Sequence, residues 1–292
     1  RSPYLKNFKR NTPILRFQHR KQIIIHIIYV GLTLVEIALL LIGGLDLFSA
    51  LTLSFGTAGT GGFGILNSSA ADYSTYVQVV ITVFMLIFSI NFNSYYMLFK
   101  RRWKEVFTEE VRWFLGIVLV AISVVTLNVF LTETVNAVGD KMSFGEALKH
   151  AAFSVSSVVS TTGFSTEDFN TWPAFSQVIL VFLMFMGACA GSTGGGIKVA
   201  RFLVLGKSAN TGIGKMLHPK QIKHVTIDNR VIEPEVVRSV FVYMVAYSVI
   251  FIVSFLIISL DLGNLNLSAI TQGENGAFAT GFTSVAATLN NI

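Results

Sequence analysis

Val159-Ser160-Thr161-Thr162-Gly163-Phe164-Ser165 is a turn of small, hydroxyl-bearing and glycine residues. It follows an apolar run too short to cross a bilayer and precedes a second apolar segment. Thr57-Ala58-Gly59-Thr60-Gly61-Gly62-Phe63-Gly64 repeats its T-x-G-F ending. Ala286-Ala287-Thr288-Leu289-Asn290-Asn291-Ile292 takes the corresponding place at the end of the chain, without reaching a glycine. Irregular backbone at membrane depth persists only where it is buried in protein or lines a water-filled cavity. Three such turns in comparable places point to one shared cavity walled by main chain.

The membrane itself follows from composition. Of 292 residues 52% are hydrophobic and only 13% charged, against roughly 25% charged in soluble domains, and the mean hydropathy is +0.64. A hydrocarbon core about 30 Å thick needs roughly 20 apolar residues per helix. Five segments meet that length, near 23–44, 75–99, 112–131, 174–206 (interrupted) and 236–260. Three more, 47–56, 144–159 and 267–286, are too short or too broken by Gly, Asn and Ser to span, and read as re-entrant helices or surface-lying loops.

Orientation comes from the basic residues. Of the 22 Lys and Arg, all but Lys141 and Lys149 fall in residues 1–21, in the connector from Lys100 to Arg112, or between Lys198 and Arg238. The positive-inside rule places those three segments in the cytoplasm and the glycine turns toward the exterior. Asp46, Asp72, Glu133, Asp140, Glu146, Glu167, Asp168, Asp261 and Glu274 fall on the outer side, an acidic entrance that concentrates cations. The net charge of +6 is therefore a topology signal with a weaker implication of anionic lipid, not a sign of nucleic acid. Cys189 is the single cysteine, which excludes an internal disulfide and a cysteine metal site.

A unit of span, short helix, turn and span recurs about every hundred residues, the kind of internal symmetry to establish before any fold is named. Leu45-Asp46-Leu47 is echoed by Leu260-Asp261-Leu262, and Asp46 or Ser49 suits a helix N-cap. Ser143 and Glu146 have capping-box spacing. Pro3 and Pro13 argue that residues 1–22 are a polar segment on the cytoplasmic surface, not one helix. Glu36 interrupts the first span; a carboxylate there is costly and marks either function or a structural pairing, with pairing favoured. Asn91, Asn93 and Ser94 either line a pore or, as favoured here, bond between helices. His150 lacks a partner and reads as structural.

Short helices entering from outside would aim their negative C-terminal ends at the membrane centre. The glycines beyond allow main-chain carbonyls to turn toward a common axis, and rings of such carbonyls replace the hydration shell of K⁺ in selective filters. Thr60, Thr161 and Thr162 are candidates for additional hydroxyl ligands. Gly187-Ala188-Cys189-Ala190-Gly191-Ser192-Thr193-Gly194-Gly195-Gly196, followed by Ile197 and Lys198, is too glycine-rich to stay helical. The span opened by Pro173 must break there and resume over 197–206. A phosphate-binding loop is excluded, because no strand precedes it and the Gly-Lys-Ser/Thr ending is missing. A gate beneath the filter is the favoured reading, close packing of small residues the alternative. Lys198 would brace the loop, repel cations or snorkel to the inner surface.

Ser160-Thr161-Thr162-Gly163-Phe164, the run Gly191 to Lys198 and the terminal Ala287-Thr288-Leu289-Asn290-Asn291-Ile292 together resemble the membrane subunit of the Trk/Ktr potassium-uptake family, TrkH type. The resemblance implies an all-α integral membrane protein in which repeated helix–pore-helix–helix units surround one K⁺ pathway pseudo-symmetrically. It implies a selectivity filter that includes Thr60, Gly61, Gly62, Phe63, Ser160, Thr161, Thr162, Gly163, Phe164, Asn290, Asn291 and Ile292. An intramembrane gate is implied at 187–196 with Lys198 beside it, as are homodimers, a bacterial inner-membrane location and a cytoplasmic TrkA-type ring that binds nucleotide. On this expectation residues 1–22 are a basic segment and 23–99 the second pore unit. Residues 100–111 are a connector, 112–206 the third unit with a broken second helix, 207–235 a connector, and 236–292 the start of a fourth. The first unit and the end of the fourth filter are expected to lie outside this chain. The rival reading is an H⁺- or Na⁺-coupled symporter, since broken helices also mark transporter sites. Units that run in the same direction favour the pore. No paired carboxylates or nucleophile-base spacing supports an enzyme.

Overall fold

The computed structural model describes residues 12–132, 134, 141–218, 224–262 and 274–292. Within them lie ten α-helices and two minimal two-stranded pairings. Helix α1 (Thr12–Ile42) leads to the short α2 (Leu47–Ala58), then α3 (Thr75–Ser89) and α4 (Phe92–Phe99). The order repeats with α5 (Glu109–Leu131), the short α6 (Phe144–Ser160), α7 (Ala174–Phe185) and α8 (Val199–Leu217), and begins again with α9 (Pro234–Leu262) and α10 (Glu274–Asn290).

Several boundaries differ from those expected. Residues 12–22 belong to α1 and are not a separate segment. Pro13 sits in the first helical turn, where a missing N–H breaks nothing; Pro3 lies outside the described residues. Among the described residues, three helices are long and apolar enough to cross a membrane: Lys21–Ile42, Glu109–Leu131 and Pro234–Leu260. The segment expected as one span over 75–99 is instead two helices at 89°. Ile90 is extended and the Asn91 side chain accepts from the amide of Asn93 at 2.8 Å, capping a new helix. Asn91 is thus a cap, not a cross-helix bond. The interrupted segment at 174–206 has only a 12-residue first helix, and its second half runs on to Leu217, well beyond 206. Helix α10 likewise continues past 286 to Asn290. The outer-side Glu133 and Asp140 lie outside the described residues.

Helix α6 is the centre of the fold and packs against α3, α5 and α7. Ala147, Ala151, Val155, Val158 and Val159 recur at helical spacing and join Val118, Val125 and Val129 of α5 and Leu180 and Met184 of α7 in one buried cluster. On another side of α6, Phe153 and the following Phe164 enter a second cluster with Leu40, Leu53, Ile81, Met85 and Phe88 from α1 to α3. Residues of α6 enter both clusters, so the two cores are fused through this helix. Helix α9 turns Val245, Val249, Ile252, Val253 and Leu256 outward, an apolar surface suited to lipid or to another helix.

Candidate functional site

The helices α2, α6 and α10 end in the same way. Gly61 donates its amide to the Gly56 carbonyl at 2.8 Å, Thr162 to Ser157 at 2.9 Å, and Ile292 to Ala287 at 2.9 Å. The preceding residues Thr60, Thr161 and Asn291 donate to Thr57, Val158 and Thr288 and have φ of 51°, 60° and 63°. This pattern closes a helix through one left-handed residue. A β-branched threonine in that region is a true outlier, at a cost of roughly 1–2 kcal/mol, and it occurs here at matching places in two repeats.

The three turns meet. A Cβ on Gly62 (φ 65°) would collide with the carbonyl oxygen of Thr162, and one on Gly163 (φ 87°) would stand 3.1 Å from the carbonyl carbon of Ile292. The side-chain amide of Asn291 donates to the Thr60 carbonyl at 3.1 Å. Backbone of the first turn thus touches the second, the second touches the third, and the third bonds back to the first. Farther out, Ala70 donates to the Ser165 carbonyl at 2.9 Å and Ser165 to the Ser69 hydroxyl at 3.1 Å, tying the outer linkers together.

The glycine-rich loop presses against all three turns. Met186–Gly187 pairs in parallel with Ile197–Lys198 and draws its ends together. At its tip Gly195 donates to the Thr161 hydroxyl at 2.5 Å, and the Thr60 hydroxyl donates to the Thr193 carbonyl at 3.3 Å. A Cβ on Gly194 would lie 2.9 Å from the Ser160 carbonyl oxygen, and one on Gly195 2.7 Å from that of Asn290. Gly191 and Gly196 have positive φ, and a Cβ on Gly187 would strike the Gly195 carbonyl. The Lys198 ammonium holds the Gly194 carbonyl, so of its three sequence readings the structure has the brace.

The loop's other partner is the bend between α3 and α4. Cys189 donates to the Ser89 carbonyl at 3.0 Å, Thr193 to the Phe88 carbonyl at 3.4 Å, and the Phe92 amide to the Gly191 carbonyl at 3.1 Å. Backbone groups freed by one broken helix satisfy those freed by another, as buried main chain requires.

Not every expected residue contributes in the same way. The hydroxyls of Thr60 and Thr161 engage the loop, and that of Thr162 bonds to the Ser160 hydroxyl at 2.7 Å. Ser160 and Asn290 are the last residues of their helices; the Asn290 amide donates to the Tyr247 hydroxyl at 2.8 Å and to the Ala286 carbonyl. Phe164 is buried in the second core, whereas Phe63 is 77% exposed. Ala188 and Cys189 are fully buried; Ala190 and Ser192 complete the turn. His150 is bonded to the Thr166 hydroxyl at 3.0 Å.

Two carboxylates fall outside that set. Glu110, in the first turn of α5, accepts from the Ala190 amide at 2.6 Å and the Ala200 amide at 3.2 Å. As one of two first-turn acids it reads in sequence as an ordinary helix-start residue, so nothing local marks it. Glu36 is fully buried, with the Thr57 hydroxyl of α2 as its polar neighbour among the described residues. At the starts of the short helices, the Ser49 hydroxyl and amide with the Phe48 amide hold the Asp46 carboxyl below its ordinary range, and the amide and hydroxyl of Ser143 do the same for Glu146. Both cap the starts of short helices, at the ends opposite the glycine turns.

Comparison with known proteins gives one direction. The TrkH family model, described as a cation transport protein, matches residues 17–292. The Trk system potassium uptake protein TrkH of Escherichia coli K12 is 32% identical over 269 residues, covering 91% of this chain and 52% of that protein. TrkG of the same organism is 30% identical over 254 residues, covering 86% and 48%. The crystal structure of the potassium transporter TrkH from Vibrio parahaemolyticus superposes with a TM-score of 0.78 at 29% identity, over 94% of this chain and 55% of that one. The chain thus spans about half the length of these relatives.

Proposed function

The chain belongs to the TrkH family of cation transport proteins, and from that premise we propose that it supplies three walls of a K⁺-uptake pore with a selectivity filter and an intramembrane gate. The observation that carries the reading is the mutual contact of three left-handed helix ends at 60–62, 161–163 and 291–292. Helices that stop there direct their negative ends at one place. The turns bring main-chain carbonyls close enough to replace water around a monovalent cation. In this reading the carbonyls select, and the threonine hydroxyls fasten the filter to the loop below.

The gate is the loop at 187–196, which lies against Ser160, Thr161, Asn290 and, through Thr193, Thr60. It lacks the regular hydrogen bonding that would make it a permanent wall, so displacement breaks a few bonds and unfolds no helix. The basic connectors face the cytoplasm of the bacterial inner membrane. The apolar outer face of α9 suits a membrane neighbour, and a homodimer governed by a nucleotide-binding ring of the TrkA type is the assembly the family resemblance supports. Gly163→Ser in the full-length protein tests the filter. It is expected to reduce the preference for K⁺ over Na⁺ in ion-flux assays at normal protein abundance; unaltered preference would reject the filter assignment.

Glu36 favours one second reading, coupled transport. A carboxyl buried in a span with no cation beside it is a natural proton carrier. Rb⁺ uptake into vesicles that depends on an imposed proton gradient, and loses that dependence in Glu36→Gln, would establish symport. Uptake indifferent to the gradient leaves the passive pore.

A further inference from the structure

Glu110 stands on α5, across the chain from the glycine-rich loop, yet its carboxylate reaches both that loop and the helix that follows it. Oε1 accepts the amide of Ala190 at 2.6 Å and that of Ala200 at 3.2 Å. The first lies within the loop and the second in the opening turn of α8, whose N-terminus has no side-chain cap of its own. The first amides of a helix need acceptors from elsewhere, and a carboxylate there meets the positive end of the helix dipole. Glu110 therefore caps α8 from another helix and pins the loop with the same oxygen. It is 8% exposed, and burial of a carboxylate is tolerated only with such partners.

The surroundings keep that carboxylate in place. The neighbouring Glu109 donates its amide to the Asp228 carboxylate at 2.7 Å, and its own carboxylate binds Lys207 of α8 at 2.5 Å. Lys207 also donates to the Thr226 carbonyl at 2.7 Å. The start of α5 is thus bolted to α8 on the side facing the basic connector. On the other side of the loop, the carbonyls of Ser89 and Phe88 hold Cys189 and Thr193 through neutral bonds, from the two amides and from the Thr193 hydroxyl at 3.3 Å. Glu110 supplies the loop's charge-assisted bond from a neighbouring helix, roughly twice as strong as a neutral one.

We propose that Glu110 is the positioning residue of the glycine-rich loop: its carboxylate fastens the loop across the path, and loss of that bond releases it. The consequence for flux rests on the reading of the loop as a gate; the fastening itself does not.

The test uses the full-length protein with Cys189 as its only cysteine. Cys189 is adjacent to Ala190 and fully buried, so its reaction with N-ethylmaleimide reports loop release. Glu110→Ala is expected to accelerate labelling about tenfold, the equilibrium equivalent of one charge-assisted hydrogen bond, and to raise basal Rb⁺ flux. Glu110→Gln, the same shape with a neutral acceptor, is expected between Ala and wild type and guards against a variant that fails to fold. A cysteine placed by Ser156→Cys in α6, in a Cys189→Ala background, is expected to stay protected in both, which separates local release from general loosening. Unchanged Cys189 labelling in both Glu110 variants overturns the proposal, as does equal exposure of the Ser156 control. If labelling rises but neither Glu110→Ala nor a loop shortened between Ala188 and Gly195 alters flux, the fastening stands and the gate reading falls. If the shortened loop raises flux and the Glu110 variants change neither readout, the gate stands and Glu110 is excluded.

Discussion

A methyl group added at Gly62 has nowhere to go, because its position is held by the Thr162 carbonyl oxygen and its φ is 65°. Gly206, inside α8, has open space around the same position and no positive φ. Gly62→Ala is accordingly expected to abolish K⁺ preference or assembly, with roughly 1–2 kcal/mol of backbone strain before any collision is counted. Gly206→Ala is expected to leave flux unchanged and to be neutral or stabilising by about 0.5–1 kcal/mol. Parallel Rb⁺ and Na⁺ flux with membrane abundance checks both, and an inert Gly62→Ala would show that the turns do not touch in the working protein. The T-x-G-F motif made Gly62 and Gly163 legible in sequence, since repetition singled them out. What the string of letters could not distinguish was the partner: the Thr60 and Thr161 hydroxyls, read as candidate ligands, bond to the loop at Thr193 and Gly195. A hydroxyl's direction depends on which backbone group lies opposite, and here that group is more than thirty residues away.

At the scale of elements, the short helices were legible because their starts carry local signals. Ser143 and Glu146 form the capping box their spacing implies, with the Glu146 amide bonded to the Ser143 hydroxyl and the Ser143 amide to the Glu146 carboxylate. Ser143→Ala is expected to cost about 1 kcal/mol, read as a lower midpoint of thermal unfolding in detergent with ion preference retained, because the cap lies at the far end of α6 from its glycine turn. A large loss of preference would mean that the cap orients the turn as well. The bend between α3 and α4 was not legible. Ser89, Asn91, Asn93 and Ser94 alternate there with Ile90 and Phe92 between longer apolar runs, a pattern that polar residues inside one span would give equally. The cause is non-local: the carbonyls of Phe88 and Ser89 and the amide of Phe92 serve the loop at 189–193, and Asn91 restarts the helix once those groups are diverted. A local pattern cannot register hydrogen bonds that are exchanged across about a hundred residues of chain.

For the whole molecule, the decisive feature is closure. The path from Gly62 to Thr162 and from Gly163 to Ile292 joins repeats that are neighbours in sequence, and a row of such contacts could lie open. Asn291 prevents that, because its side-chain amide returns to the Thr60 carbonyl across 231 positions and makes the row a closed circuit. The period of the repeats made a shared centre legible in the sequence, but not which residue completes it; Asn291 was read as one of the implied filter residues of the last turn, with no partner assigned to its side chain. If a cation is selected by carbonyls held at fixed separation, the bond that fixes Thr60 has to matter more than its own energy. Loss of one neutral hydrogen bond is worth about 0.5–1.5 kcal/mol, too little to unfold a protein with two fused cores. Asn291→Ala in the full-length protein is therefore expected at normal abundance and thermal stability, with K⁺ preference over Na⁺ reduced several-fold, up to about tenfold if the whole bond energy enters selection. Asn291→Asp is expected to do worse, since it replaces the donor by a charged acceptor facing a carbonyl. Flux ratios in mixed K⁺ and Na⁺ decide the matter: full preference in both variants would mean that the Thr60 carbonyl is fixed by its helix end alone and that closure through Asn291 has no part in selection.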